Sequence, residues 1–340
     1  MKPAVRFCAL LRRPVAIQIR IPRCARAIAT MQPVDAPLTQ SATFLVLSAT
    51  NSSHALDKIR DAISSTGDLV KNVAIRHPGA RLSCVVGIGG DIWDSLTGLA
   101  RPKELRPFRE IRGAKHTAIA TPGDLLFHIR AERRDVTFEF ESQLMELLDD
   151  AVKVEDSTVG FRYFDARDLL GFVDGTANPV VPDVADAVFT TAAQDAAAAG
   201  GSYVVVQKYV HDMAGWRGLS TEKQEAIIGR RKADNFELPD AADGKQLAHK
   251  TLATIEDEQG NEHDILRDNM PFGSPSSKQY GTYFIGYSKQ LWVIEKMLDR
   301  MFVGSPPGLH DRILDYSKPL TGTTFFIPSA SALESLGDKK

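Results

Sequence analysis

Apolar residues recur along this chain in two rhythms, one of period two and one of helical spacing. Short apolar or alternating runs at 43–48, 82–88, 125–130, 160–164, 203–210, 282–287 and 323–327 predict strands. In the run 125–130, Leu125, Phe127 and Ile129 fall on one side and His128 and Arg130 on the other. Leu56, Ile59, Ile63, Val70 and Val73 share one face of a predicted helix that Gly67 weakens midway. Further helices are expected over 136–152 and 221–228, and where Leu291, Ile294, Leu298 and Met301 face one way. The order is strand-helix-strand twice, and the second half repeats the plan. Two α+β halves follow, each a sheet covered by helices. The spacing divides the chain into 40–165 and 166–330, with a loose tail at 331–340. Segments 192–201, 240–246 and 273–280 read as flexible connectors.

Composition narrows the class. The 340 residues are 43% hydrophobic and 25% charged, enough for real cores. A formal net charge of −2 suggests neither a nucleic-acid nor a membrane-surface partner, and no apolar run reaches the length of a membrane span. Cys8, Cys24 and Cys84 have no metal or redox spacing. Residues 1–34 differ from the rest. Lys2, Arg6, Arg12, Arg13, Arg20, Arg23 and Arg26 precede the first acid, Asp35, which has the look of an organelle transit peptide. That implies a mitochondrial or plastid location, and otherwise a cytoplasmic one. Two other accounts are a twin-arginine export signal at Arg12-Arg13 and a mis-assigned start, with Met31 as initiator.

Familiar chemical motifs are missing. No HExxH or CxxC pair supports zinc, no GxGxxG or Walker loop cradles phosphate, and there is no GxSxG elbow. Of the eight histidines, His54 and His77 read as surface residues, His116 as a loop residue, His128 as a satisfied structural histidine and His211 as a turn contact. His263 and His310 lie in polar surroundings, and His249 opens Lys250-Thr251-Leu252 after a polar connector. The most informative stretch is GFVDGTANP at 171–179, which displays Asp174 between glycines that let backbone approach a ligand closely. Asn178-Pro179 closes the turn. In ILRDNMPF at 265–272, Arg267 and Asn269 share one face of an extended chain. Arg, Asn and Asp aimed at one point suit a small polar reactant. From spacing alone, the plainer account is a structural salt bridge between Arg267 and Asp174.

GFVDGTANP resembles the GxxDG signature of the dye-decolorizing peroxidases, and its companions occur in that family's order from about Phe44 to Ser329: GGSYVVVQKYVHD, AIIGRRK, His249, ILRDNMPFG, GTYFIGYS and GTTFFIPS. The match is similar to the bacterial B-type group, apart from residues 1–34. The resemblance implies two ferredoxin-like α+β domains with antiparallel sheets, of the dimeric α+β barrel type, and haem b (iron protoporphyrin IX) held mainly by the second. It implies His249 as the proximal iron ligand, backed by an unnamed carboxylate. Asp174, Arg267 and Asn269 would form the distal face, with Gly175 and Thr176 beside the cofactor and Arg230 on a haem propionate. The implied reaction is reduction of hydrogen peroxide, followed by oxidation of dyes, phenols or other bulky donors through a ferryl-oxo porphyrin radical. Tyr203, Tyr209, Trp216, Tyr283, Tyr287 and Trp292 are possible charge relays to the surface. A homo-oligomer is implied. Alternatives are a porphyrin-processing, iron-releasing protein and a non-catalytic haem carrier.

Overall fold

A computed structural model describes residues 31–338 except 243. Ten strands form one antiparallel sheet: β1 (Ser41–Ala49), β2 (Ser83–Gly89), β3 (Leu125–Ala131), β4 (Val152–Phe161), β5 (Ser202–His211), β6 (Leu266–Arg267), β7 (Met270–Ser274), β8 (Gln279–Ser288), β9 (Ser317–Pro319) and β10 (Thr323–Ile327). Their order is β6-β8-β5-β10-β2-β3-β1-β4, with β7 paired to β8 and β9 to β5. The two expected α+β halves are therefore joined edge to edge. The seam is two residue pairs, Phe325 with Gly89 and Phe326 with Ile88.

The sheet curls until its ends approach. A Cβ on Gly160 of β4 would lie 2.5 Å from the Met270 side chain of β7. Alternation along each strand then serves two cores. Inward residues, among them Phe44, Leu126, Val204, Tyr283, Ile285 and Phe325, pack against each other inside the curl. Outward residues such as Leu45, Phe127 and Val205 meet the helices. Because both faces are covered, every residue of β3 is buried, including His128 and Arg130.

The helices that matter for the site and cores are α1 (Ala55–Ser64), α2 (Thr66–Ala74), α3 (Arg134–Leu148), α4 (Thr221–Ile228), α5 (His249–Ala253) and α6 (Leu291–Phe302), with other helices of five residues or fewer elsewhere among the described residues. The single helix expected across Gly67 is two, broken at Ser65, whose hydroxyl bonds back to the Asp61 carbonyl at 2.7 Å. The helix expected over 136–152 stops at Leu148, and 152–161 is strand.

Two of the three flexible segments, and the tail, are corrected. Within 192–201, Asp195 is 6% exposed and accepts the Lys103 amide at 2.7 Å. Segment 273–280 is the turn of the β7–β8 hairpin. In the tail, Leu333 and Leu336 are buried in the outer core. The presequence over 1–34 is corrected at its end, residues 1–30 lying outside the described residues. Val34 is fully buried, and the Gln32 amide donates to the carbonyls of Val86 at 2.9 Å and Pro328 at 3.0 Å. Processing after residue 34 would remove a side chain that ties β2 to the end of β10. Among the described residues, no helix is long and apolar enough to cross a membrane.

Candidate active site

The outer face of the second half of the sheet is hollow. A cavity lies between β5, β8, α6 and the loop 168–174. Its walls are largely apolar, with Phe172, Ile228, Phe284, Met297 and Leu314 among them. His249, Asp174, Arg267 and Asn269 all reach it. An adjoining, more polar cleft shares Asp174, His249 and Arg267 and adds Gly175, Thr176 and Arg230.

Local chemistry sets the Asp174 loop. Asp168 Oδ1 accepts the amides of Gly171 at 2.8 Å and Phe172 at 2.9 Å, and the Asp174 amide donates to the Ala166 carbonyl at 2.9 Å. Gly171 (φ +96°) and Gly175 (φ +81°) take conformations that disfavour a side chain, and a Cβ on Gly171 would also meet the Lys232 side chain at 2.5 Å. Burial, with Asp174 nearby, pushes the Asp168 carboxyl up to about 7 although the Phe172 amide opposes it. Asn178 then clasps the loop to β6. Its Oδ1 accepts the Arg267 amide at 2.9 Å and its Nδ2 donates to the Arg267 carbonyl at 2.7 Å.

That clasp aims Arg267, and the strand break after it aims Asn269. Asn269 Oδ1 takes the Ile285 amide at 3.1 Å, a bond the ladder would otherwise give to a backbone carbonyl. Its Nδ2 donates to Asp174 Oδ1 at 3.3 Å. Arg267 makes no ion pair with Asp174 among the described residues. Its guanidinium donates to the carbonyls of Ile265 at 3.3 Å and Ala253 at 3.4 Å. The salt-bridge account favoured by spacing is thereby corrected. Burial pulls the Arg267 pKa down, while the nearby charges of Asp174 and Asp264 oppose the shift.

His249 opens α5, a five-residue helix. Arg300 holds the far end through the Thr251 carbonyl at 2.9 Å and the Thr254 carbonyl. Lys250 anchors the near end to Glu237 at 2.9 Å and Asp240 at 2.8 Å. His249 Nδ1 lies 2.6 Å from Asp311 Oδ2, and that carboxylate is fully buried. The ring itself is a third exposed, opening on the cavity. Burial alone would lower its pKa, but the charge and hydrogen bond of Asp311 outweigh it and the pKa is raised. A histidine oriented through Nδ1 whose ring opens on a cavity could hold a metal or cofactor there.

The other assignments divide. Arg230 borders the cleft and pairs with Glu237 at 2.8 Å, whereas Arg231 turns to Asp234. Thr176 Oγ1 accepts from Asn235 at 2.9 Å. His211 is no simple turn contact. It is buried, meets Ser317 at 2.8 Å and Thr282 at 3.0 Å, and burial pushes its pKa down to about 4. Sequence reasoning missed Asp168, Asn178 and Asp311. It also missed His116 and His310 meeting on Asp315, where three potential ligand atoms lie within 4.8 Å. Lys115 donates to the same Asp315 oxygen as both rings. Burial would raise the Asp315 pKa, but these bonds hold it well below the usual range, as in a neutralised ion cluster.

An α+β sheet that gathers a carboxylate-backed histidine, an acid, an arginine and an amide around one apolar cavity is a candidate peroxidase site. Comparison with known proteins agrees. Models of the Dyp-type peroxidase N-terminal and C-terminal regions match residues 22–162 and 165–332. The dye-decolorizing peroxidase of Brevibacterium linens is 50% identical over 305 residues, 90% of this chain and 82% of its own. The structure of DyPB from Rhodococcus jostii RHA1 superposes with a TM-score of 0.86 at 51% identity, covering 90% of this chain and 98% of that one. Variants of the Rhodococcus protein have been solved in complex with heme. The Escherichia coli deferrochelatase is a distant relative, 26% identical over 72% of this chain and 64% of its own. The chain belongs to the Dyp-type peroxidase family. The N-terminal match begins inside 1–34 and these relatives are bacterial, so the transit peptide and the organelle location have no support.

Proposed function

We propose that this peroxidase binds haem b through His249, reduces hydrogen peroxide with Asp174, Arg267 and Asn269, and oxidises dyes, phenols or other bulky donors. The observation that carries the reading is His249 itself. Its Nδ1 is bound to fully buried Asp311 while its ring opens on the cavity that Asp174, Arg267 and Asn269 also line. The cavity fits the cofactor. It is largely apolar and has at its wall Gln207, a fully buried residue whose amide nitrogen lacks a protein partner. All its lining comes from Asp168 onward, which supports division into 40–165 and a cofactor-binding 166–330.

When bound, haem supplies the electrons that cleave the peroxide O–O bond. The chain's residues hold it and manage protons. His249 donates its lone pair, and Asp311 makes the ring a stronger donor. Arg230, with Gly175 and Thr176 beside it on the cleft, is placed for a propionate. The Asp174 carboxylate takes a proton from one peroxide oxygen and returns it to the other. Asn269 orients that carboxylate, and Arg267, a poor base, stabilises charge on the departing oxygen. Self-association is supported by Val154, Val159 and Phe161, apolar yet exposed on edge strand β4.

The test is rapid mixing of haem-loaded protein with peroxide. Arg267→Leu should keep its haem and react about 10²–10³-fold more slowly. An unchanged rate removes Arg267 from the mechanism. Asp174→Asn keeps the shape and deletes the base. Little change there shifts the proton role to water held by Arg267 and Asn269. The iron-releasing alternative predicts free porphyrin among the products, whereas the peroxidase leaves haem intact and the donor oxidised.

A further inference from the structure

Two imidazoles and a carboxylate meet at a point that lines neither the cavity nor the cleft. His116 Nε2 lies 2.9 Å and His310 Nε2 3.1 Å from the same oxygen, Oδ1 of Asp315. One ligand atom from each residue falls within 4.8 Å of the others. The side chains are shielded, at 20%, 16% and 17% exposure for His116, His310 and Asp315. The two rings stand at 67° to one another with centroids 4.8 Å apart, so they approach Asp315 without stacking.

Backbone contacts hold each group in place. His116 closes the turn of a hairpin that pairs Ile111–Arg112 with Thr117–Ala118, and its carbonyl accepts the Gly113 amide at 2.9 Å. The turn is pressed onto the end of α6, where a Cβ on Gly113 would lie 1.9 Å from the Phe302 carbonyl oxygen. On the other side, the His310 carbonyl accepts the Gln246 side chain at 3.0 Å, and the Asp311 amide donates to the Met301 carbonyl at 2.7 Å. Asp315 ends the helical turn Arg312–Asp315. Groups fixed in this way lose little freedom when they bind an ion.

Asp315 Oδ1 is oversubscribed. Lys115 donates to it as well, so three nitrogens crowd an oxygen with two lone pairs. A divalent cation relieves the crowding, because each imidazole then gives its Nε2 lone pair to the ion instead of competing for one oxygen. Tetrahedral zinc with bonds of about 2.0–2.1 Å sets its ligand atoms about 3.3 Å apart, a few tenths of an ångström beyond the two N–O distances here. Two imidazoles and one carboxylate suit zinc, whereas magnesium and calcium favour oxygen ligands. The rival for Asp315 is Lys115, whose side chain is 59% exposed and free to swing into solvent.

We propose that His116, His310 and Asp315 bind one zinc ion, with Lys115 released and a water completing the tetrahedron. His116 belongs to the first half of the chain and stands 199 residues from Asp315 in the second. The ion therefore clamps together two halves whose strand seam is only two residue pairs. Nothing in this site depends on haem.

The experiment is calorimetric titration of the full, untagged chain, expressed with haem and stripped of free metal ions by a chelator, with zinc chloride at neutral pH. The wild type should take up one zinc per chain. His116→Ala, His310→Ala and Asp315→Asn should each weaken uptake by more than about 100-fold, beyond the loss expected for an outer-shell partner. Lys115→Met removes the rival cation from an exposed position and should tighten binding, while His54→Ala should change nothing. Zinc should also slow amide exchange over both 111–118 and 310–315 in the wild type. No uptake by the wild type, undiminished uptake in the three ligand variants, or equal uptake of magnesium overturns the site. Equal or weaker zinc binding by Lys115→Met also overturns it and leaves Asp315 the centre of an ion cluster. Circular dichroism shows whether each variant is folded. Should a ligand variant fail to fold, Lys115→Met and the wild-type exchange pattern decide.

Discussion

The two halves of the sheet carry helices on the same face, yet one is filled and the other hollow. In the first half, α3 sets Phe140, Leu144 and Leu148 against the strands, and α1 adds Ile59 and Ile63, all fully buried. In the second, α6 buries Leu291, Ile294 and Phe302 but leaves Met297, Leu298 and Met301 on a cavity wall. The difference is in what holds the backbone. The filled half is held by side-chain packing, which leaves few gaps. Around the hollow, the Asp168 turn, the Asn178 clasp and the Asp311–His249 bond fix backbone and side chains by hydrogen bonds. An open site in this molecule is thus a polar frame set into an otherwise apolar seam.

Substitutions in the two halves should therefore fail differently. The largest effect is expected for His249→Ala, which should abolish the Soret band of haem-supplied protein while the apoprotein melts near the wild-type temperature. Full haem content with unchanged spectra would refute the ligand assignment. Phe140→Ala, in the filled half, should cost about 3–5 kcal/mol of stability by chemical denaturation, with haem content unaltered in the folded fraction. Asp311→Asn should weaken haem binding by about 10–100-fold in a titration near neutral pH. Its pH dependence carries a sign. A raised His249 pKa means that the ring holds a proton where a free imidazole is neutral, so haem binding is lost as pH falls through that raised value. Removing the Asp311 charge lowers the His249 pKa and moves this loss to lower pH. The smallest effect is expected for Met297→Ala, which enlarges an existing cavity. Its cost should fall well below that of Phe140→Ala, since fewer packed neighbours are lost.

The legible parts of this protein are those whose signal is local. Apolar and alternating runs located six long strands, whereas the run at 160–164 caught only the end of β4 and β7 was not foreseen; the helix over 221–228 matches its observed bounds. Asp174, Arg267 and Asn269 were legible because each lies in a short segment of unusual composition. Asp311 was not. It stands 62 residues from His249, in a polar stretch, and only the fold brings the two together. The Asp315 cluster, with its partner His116 199 residues away, escaped for the same reason. Asn178 was read as a turn residue because its neighbour is proline. Its amide instead imitates a strand edge, which no spacing reveals. The tail and the segment 192–201 were taken for flexible chain on composition, yet Leu336 and Ala198 are each placed in the core by contacts far away in sequence.

The two-pair seam between β10 and β2 also bears on how the molecule is made. β10 ends at Ile327, whereas β2 is complete by Gly89. During synthesis, the first half therefore waits with the β2 edge unpaired until the chain has been made as far as β10. An open strand edge invites pairing with the wrong chain, and long-range strand pairing is slow to form. The nascent chain is thus exposed to misassembly until that strand arrives, and Thr323–Ile327 works as a late-arriving fastener.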